Sequence, residues 1–195
     1  MWTRLARFLG RGKPRYTRST VPSRPTLLLT EACLAGLHVC LAPEMCKGHE
    51  GIAYLFGRTD GATTLAVTAF RPAAKTTPGS FLVEPPAMAR GVRAPATLRL
   101  QVIAQVHTHP SMAYHSEGDV EGARIRYPGY SSIVLPNYGR SLPRLDDAAV
   151  YVFDRAHTWV QLEPNARRSW RGSVRQPYLL AKPDVAGFCY SWPTA

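Results

Sequence analysis

The sequence predicts a mixed α/β (α+β) architecture, a β-sheet flanked by helices. Three observations carry this. Hydrophobic residues make up 45% of the 195-residue chain, the ordinary share for a protein with a core. Apolar runs of strand length alternate along the chain with longer stretches of helical character. The 17 prolines fall at the edges of those segments and in the two tails.

The elements follow in order. Thr30 with Glu31 opens a helix that runs to about Leu41, and Pro43 stops it. Residues 51–57 and 63–70 are apolar runs around Thr59-Asp60-Gly61, a hairpin signature. Residues 72–86 read as loop, with Phe81–Val83 a short strand. Residues 87–98 form a helix weakened by Gly91 and Pro95. Val102–His107 is a strand of the fully buried kind. Glu117–Arg126 is helical and ends before Pro128-Gly129. Ser132–Leu135, Ala148–Phe153 and Thr158–Leu162 read as strands.

Charge divides the chain. The formal net charge is +11, from 24 Lys and Arg against 13 Asp and Glu. Residues 1–25 hold seven basic side chains and no acid, residues 26–165 hold twelve of each, and residues 166–195 hold five basic side chains and Asp184. The expected organisation is therefore a basic, flexible arm (1–25), a neutral middle domain (26–165) and a basic extension (166–195). The tails make nucleic acid a conceivable partner, but the neutral middle shows no nucleic-acid motif, so that reading is the less favoured one. No apolar run approaches the roughly 20 residues of a membrane helix. The amino terminus lacks the apolar stretch of a secretory signal, so a cytoplasmic protein is expected. The four cysteines include no C-x-x-C pair, and Cys33, Cys40 and Cys46 read as reduced, partly buried thiols.

One segment rises above this background. Residues 107–119 read His-Thr-His-Pro-Ser-Met-Ala-Tyr-His-Ser-Glu-Gly-Asp. His107 and His109 stand two apart at the end of a strand, so their imidazoles share a face. Ser116 and Asp119 stand three apart where a helix begins, and share a face as well. Two imidazole nitrogens and one carboxylate oxygen form the three-ligand set of a catalytic zinc, with the fourth position left for water. Taken singly, each piece has a plainer reading: an H-x-H is more often surface polarity, and Ser-x-x-Asp is above all a helix cap. His115 has nothing to separate it from a loop histidine. His38 and His157 read as structural or solvated. A general base is needed, and spacing alone does not choose among the upstream acids.

In combination these residues resemble the JAB/MPN (JAMM-type) zinc metalloproteases, whose motif is a distant Glu, then H-x-H, then S-x-x-D. The run Glu50-Gly51-Ile52-Ala53-Tyr54-Leu55-Phe56-Gly57-Arg58 matches the family's early strand, and Ser132–Gly139 is similar to bacterial members. The resemblance covers about residues 27–163. It implies a cytidine-deaminase-like architecture and zinc held by His107, His109 and Asp119. It also implies Glu50 as general base, with Ser116 as hydrogen-bond donor to the oxyanion. The implied substrate is the bond after the carboxyl-terminal tail of a ubiquitin-like protein, in processing or deconjugation. Activating and conjugating enzymes of the same operon and an antiphage setting would then be expected. A peptidase acting on a non-ubiquitin substrate is the alternative within the family. This chain departs from the pattern twice: six residues rather than seven separate His109 from Ser116, and Ala53 stands where many members have Gly.

Overall fold

The computed structural model describes residues 26–60 and 63–162, and the two basic tails lie outside them. The main chain forms β1 (Thr26–Leu29), α1 (Glu31–Lys47), β2 (Ile52–Thr59), β3 (Thr63–Phe70), β4 (Ala74–Thr77) and β5 (Ser80–Val83). There follow α2 (Pro85–Thr97), β6 (Gln101–Thr108), α3 (Glu117–Gly122), β7 (Ser131–Leu135), β8 (Ala149–Phe153) and β9 (Trp159–Gln161). Seven strands build one mixed sheet in the order β1-β3-β2-β6-β7-β8-β9, and β4 and β5 form a separate hairpin. β1 with β3 and β6 with β7 run parallel. The other neighbours in the main sheet are antiparallel.

Helices cover both faces, so the central strands are apolar throughout rather than alternating. On one face Cys33, Leu37, Cys40 and Leu41 of α1 pack on Ala53, Leu55, Ala66, Val106 and Ile133. On the other, Tyr54, Phe56, Phe70, Val134, Tyr151 and Trp159 form an aromatic-rich core against Met88 and Ala94 of α2. Two bulges shape β2. Its register with β6 shifts between Leu55 and Phe56, and its register with β3 shifts between Phe56 and Gly57. The first shift leaves Ile103 as an extra residue, so Ile103 and Ala104 both join the α1-side core. Beyond it, Gln105 and His107 turn to the face that carries α2.

The structure corrects several sequence-based boundaries. α1 does not stop at Pro43; it continues to Lys47 with Pro43 inside it. Tertiary ties outweigh the missing amide. Glu44, one residue on, is buried and takes Arg71 at 2.6 Å and Thr76 Oγ1 at 2.7 Å. Gly48, left-handed at φ 66°, closes the last turn by donating to Glu44 and Met45. Residues 72–86 are not merely loop around one strand, because β4 pairs with β5 through Ala74↔Val83 to Thr77↔Ser80. α2 persists through Gly91 and Pro95 because these two, with Ala87, form its buried stripe. α3 ends at Gly122 rather than Arg126. The Arg126 guanidinium instead caps it, donating to the carbonyls of Ala123, Val120 and Glu121. β1 is a strand that sequence reading did not assign.

Candidate metal centre

Strand register brings the predicted residues together. Ile52 of β2 stands opposite His107 of β6. Just before that pair, Thr108 donates its amide to Gly51 O at 3.0 Å, and Gly51 N donates to Thr108 Oγ1 at 2.8 Å. Thr108, the middle residue of His-Thr-His, therefore uses its side chain to lock the backbone next to Glu50 onto the histidine strand. Glu50 N is held in turn by Thr77 O of β4 at 2.9 Å. His109, the residue after β6, donates its amide to Leu135 O, and its carbonyl accepts from Tyr138 in a left-handed turn at Asn137–Gly139. His107, His109 and Glu50 are all buried.

Ser116 is the N-cap of α3, and the capping box is complete. Ser116 Oγ accepts from Asp119 N at 3.1 Å, while Asp119 Oδ2 accepts from Ser116 N at 2.8 Å. The Ser116 hydroxyl also donates to Asp119 Oδ2 at 2.7 Å. Asp119 then stands before both imidazoles, with Oδ1 3.3 Å from His107 Nε2 and Oδ2 3.2 Å from His109 Nε2. One donor atom from each of the three residues lies within 4.8 Å of the others. A cleft of about 480 Å³ opens over them, lined among others by Glu50, His109, Ser116 and Asp119. Phe81 of β5 leans on the His107 ring at 5.4 Å, and Tyr114 meets the His109 ring edge-on at 4.9 Å.

The two carboxylates of the cleft are driven apart. Burial raises Glu50 to about 7; the His109 charge opposes this and the Asp119 charge adds to it. Burial would raise Asp119 too, but the facing imidazoles of His107 and His109 and the hydrogen bond from the Ser116 hydroxyl hold it well below the usual carboxylate range. One carboxyl group is thus ready to carry a proton near neutral pH while the other stays ionised.

These residues fit a divalent cation. Both ring nitrogens of His107 are buried and neither has a hydrogen-bond partner; Nε2 is near Asp119 without hydrogen-bonding geometry. Buried polar atoms are nearly always satisfied, so this orphan marks a place built for something else. Two imidazoles converging on one ionised carboxylate supply the N, N, O set that such a cation takes.

His115 is not the loop histidine that its sequence context suggests. It is buried in the aromatic core, stacked on Tyr151 at 3.8 Å and 8°, with its Nε2 2.8 Å from Ser132 Oγ. Burial, and secondarily the charge of His107, pushes it down to about 3, so it is a neutral imidazole. Neither this role nor that of Thr108 carries a local sequence signal, because both are set by non-local packing. His38 and His157 are exposed, as expected.

Comparison with known proteins gives the family and the likeness of fold. The profile of prokaryotic homologues of the JAB domain matches residues 41–171. A probable metalloprotease of Sinorhizobium fredii is 30% identical over 139 residues, covering 69% of this chain and 85% of that protein. The solution structure of a Desulfitobacterium hafniense protein superposes with a TM-score of 0.53 at 17% identity, covering 70% of this chain and 90% of that one, a likeness of fold.

Proposed function

Since the chain belongs to the family of prokaryotic JAB homologues, we propose that it is a zinc-dependent peptidase acting at the end of a ubiquitin-like protein's carboxyl-terminal tail. The observation that carries the metal is the convergence of His107, His109 and Asp119 around an orphaned buried imidazole. His107 and His109 would offer nitrogens and Asp119 an oxygen. When bound there, zinc supplies a water of lowered pKa and a Lewis acid for the scissile carbonyl. Glu50 accepts the proton of the attacking water and passes it to the leaving amine; a base poised near neutrality suits both transfers. Ser116 donates a hydrogen bond to the tetrahedral oxyanion. Its hydroxyl now donates to Asp119 Oδ2, so it turns toward the substrate to do this.

The surroundings support an extended, small-residue substrate segment. β5 presents exposed Ser80 and Leu82 beside the cleft, and its hairpin with β4 is a strand pair to which an extended tail adds by main-chain hydrogen bonds. Phe81 and Tyr114 crowd the two imidazoles, so glycines approach them most closely. The protein would work in the cytoplasm, beside the enzymes that activate and conjugate the modifier. Purified protein should hold one zinc per chain and cleave a ubiquitin-like protein fused through its carboxyl terminus. The Glu50→Gln variant should keep the zinc and lose at least about 100-fold in kcat. An active Glu50→Gln variant removes Glu50 from the mechanism, and cleavage undiminished after metal removal refutes the metalloprotease reading.

A further inference from the structure

We propose that His115 is a positioning residue for the metal centre, fixing where Asp119 stands relative to His107 and His109. The inference rests on the metalloprotease reading above and adds to it a residue that the family motif does not contain. The segment between His109 and His115 is held weakly: Pro110, Ser111, Met112 and Tyr114 are exposed. α3, which carries Asp119, has no fully buried residue. Ala113 of the loop and Val120 of the helix reach the aromatic core but are only partly buried, and between His109 and Ala123 His115 alone is buried.

His115 supplies that hold, through four contacts. Its ring lies on Tyr151 and meets Trp159 edge-on at 5.1 Å. Its main-chain amide donates to Tyr151 Oη at 3.1 Å. Its Nε2 is 2.8 Å from Ser132 Oγ, which also accepts from Gln105 Nε2 at 3.1 Å. Gln105 and Ser132 are register partners on β6 and β7, so the hydrogen-bonded trio staples the loop to the strand that ends in His107 and His109. From His115 the route to Asp119 is one peptide and a closed capping box. The same imidazole runs beside His107, with ring centroids 6.0 Å apart and planes 20° apart. A phenylalanine would fill the space against Tyr151 but leave Ser132 without this partner. The hydrogen bond therefore tests positioning, and the ring tests packing.

The experiment measures zinc affinity by competition with a chromogenic chelator on the whole chain. The His115→Phe variant keeps the ring and removes the hydrogen bond; Ser132→Ala removes the same bond from the other side with minimal change of shape. Each should weaken zinc binding about 10- to 100-fold, the usual effect of losing a residue that orients a ligand. Circular dichroism should stay that of the folded parent, and the metal-free Tm should fall by only the few degrees that a lost buried hydrogen bond costs. At saturating zinc, KM should hold while kcat falls. His157→Ala, at an exposed position, should change nothing. If His115→Phe does not fold, Ser132→Ala decides. Parental zinc affinity in the folded variants overturns the proposal alone. A parent chain that binds no zinc overturns the metalloprotease reading and this inference with it.

Discussion

Glu50 and Asp119 share one cleft and one charge type, yet burial prevails at the first, while at the second the facing imidazoles and the Ser116 hydroxyl together outweigh it. This has a consequence for stability with a definite sign. In the metal-free protein Glu50 titrates near 7 against an ordinary 4.5. Between those values the folded chain holds a proton that the unfolded chain has released, so stability falls as pH rises through that window. Glu50→Gln carries no such loss. Metal-free Glu50→Gln should therefore be more stable than the parent at pH 8, by on the order of 2 kcal/mol, with the gap closing toward pH 4. Urea titrations of both proteins across that range measure it, and a pH-independent difference contradicts the burial of the carboxyl group. A cation in the cleft favours the carboxylate, so the acid limb of kcat/KM in the zinc form should fall between 4.5 and 7. His107, His109, Ser116 and Asp119 were legible as residues because strand and helix periodicities put them on shared faces. Glu50 was legible only through family resemblance, because it reaches the histidines through the pairing of two strands distant in sequence.

At the level of elements, local rules located the central strands well and the ends of helices poorly. The runs in β2, β6, β7 and β8 are buried on both faces for most of their length, which leaves little else that they could be, while β3 shows a largely alternating pattern of burial. α1 passed its expected stop because Glu44 is tied to Arg71 and Thr76, contacts that Pro43 does not advertise. β4 escaped notice because Ala-Lys-Thr-Thr is short, partly exposed and off the main sheet. The glycine that ends the β2 apolar run has a sharper meaning in three dimensions. At Gly57, where the β2–β3 register shifts, an added Cβ would fall 1.9 Å from the Leu65 carbonyl oxygen. Backbone cannot yield there as a side-chain tip would. Gly57→Ala should cost at least about 2 kcal/mol in chemical denaturation. Gly79→Ala, with open space around its Cβ, should cost well under half of that. Equal losses at the two sites would mean that β3 shifts freely and that the bulge does not fix the register.

The whole molecule separates its charge from its chemistry. Residues 26–165 hold twelve basic and twelve acidic side chains, and the metal centre and its cleft lie within them. The excess of positive charge sits before and after, outside the described residues. The matched family segment begins at residue 41, beyond the basic arm, and ends at residue 171, a few residues into the basic extension. A tail whose charge serves hydrolysis would be expected to answer acids that line the cleft, but the two acids there, Glu50 and Asp119, are not free to meet it. Asp119 is committed to Ser116 and the two histidines, and Glu50 is buried. Deleting residues 1–25 removes seven positive charges and leaves +4 of the original +11. The truncated protein should keep one zinc and the parental kcat, elute from a cation exchanger at lower salt, and lose any salt-sensitive retention of DNA, since each neutralised phosphate steepens the salt dependence. A truncated protein that loses hydrolysis with its zinc intact would instead make the arm part of substrate capture, and the neutral middle would no longer account for the activity alone.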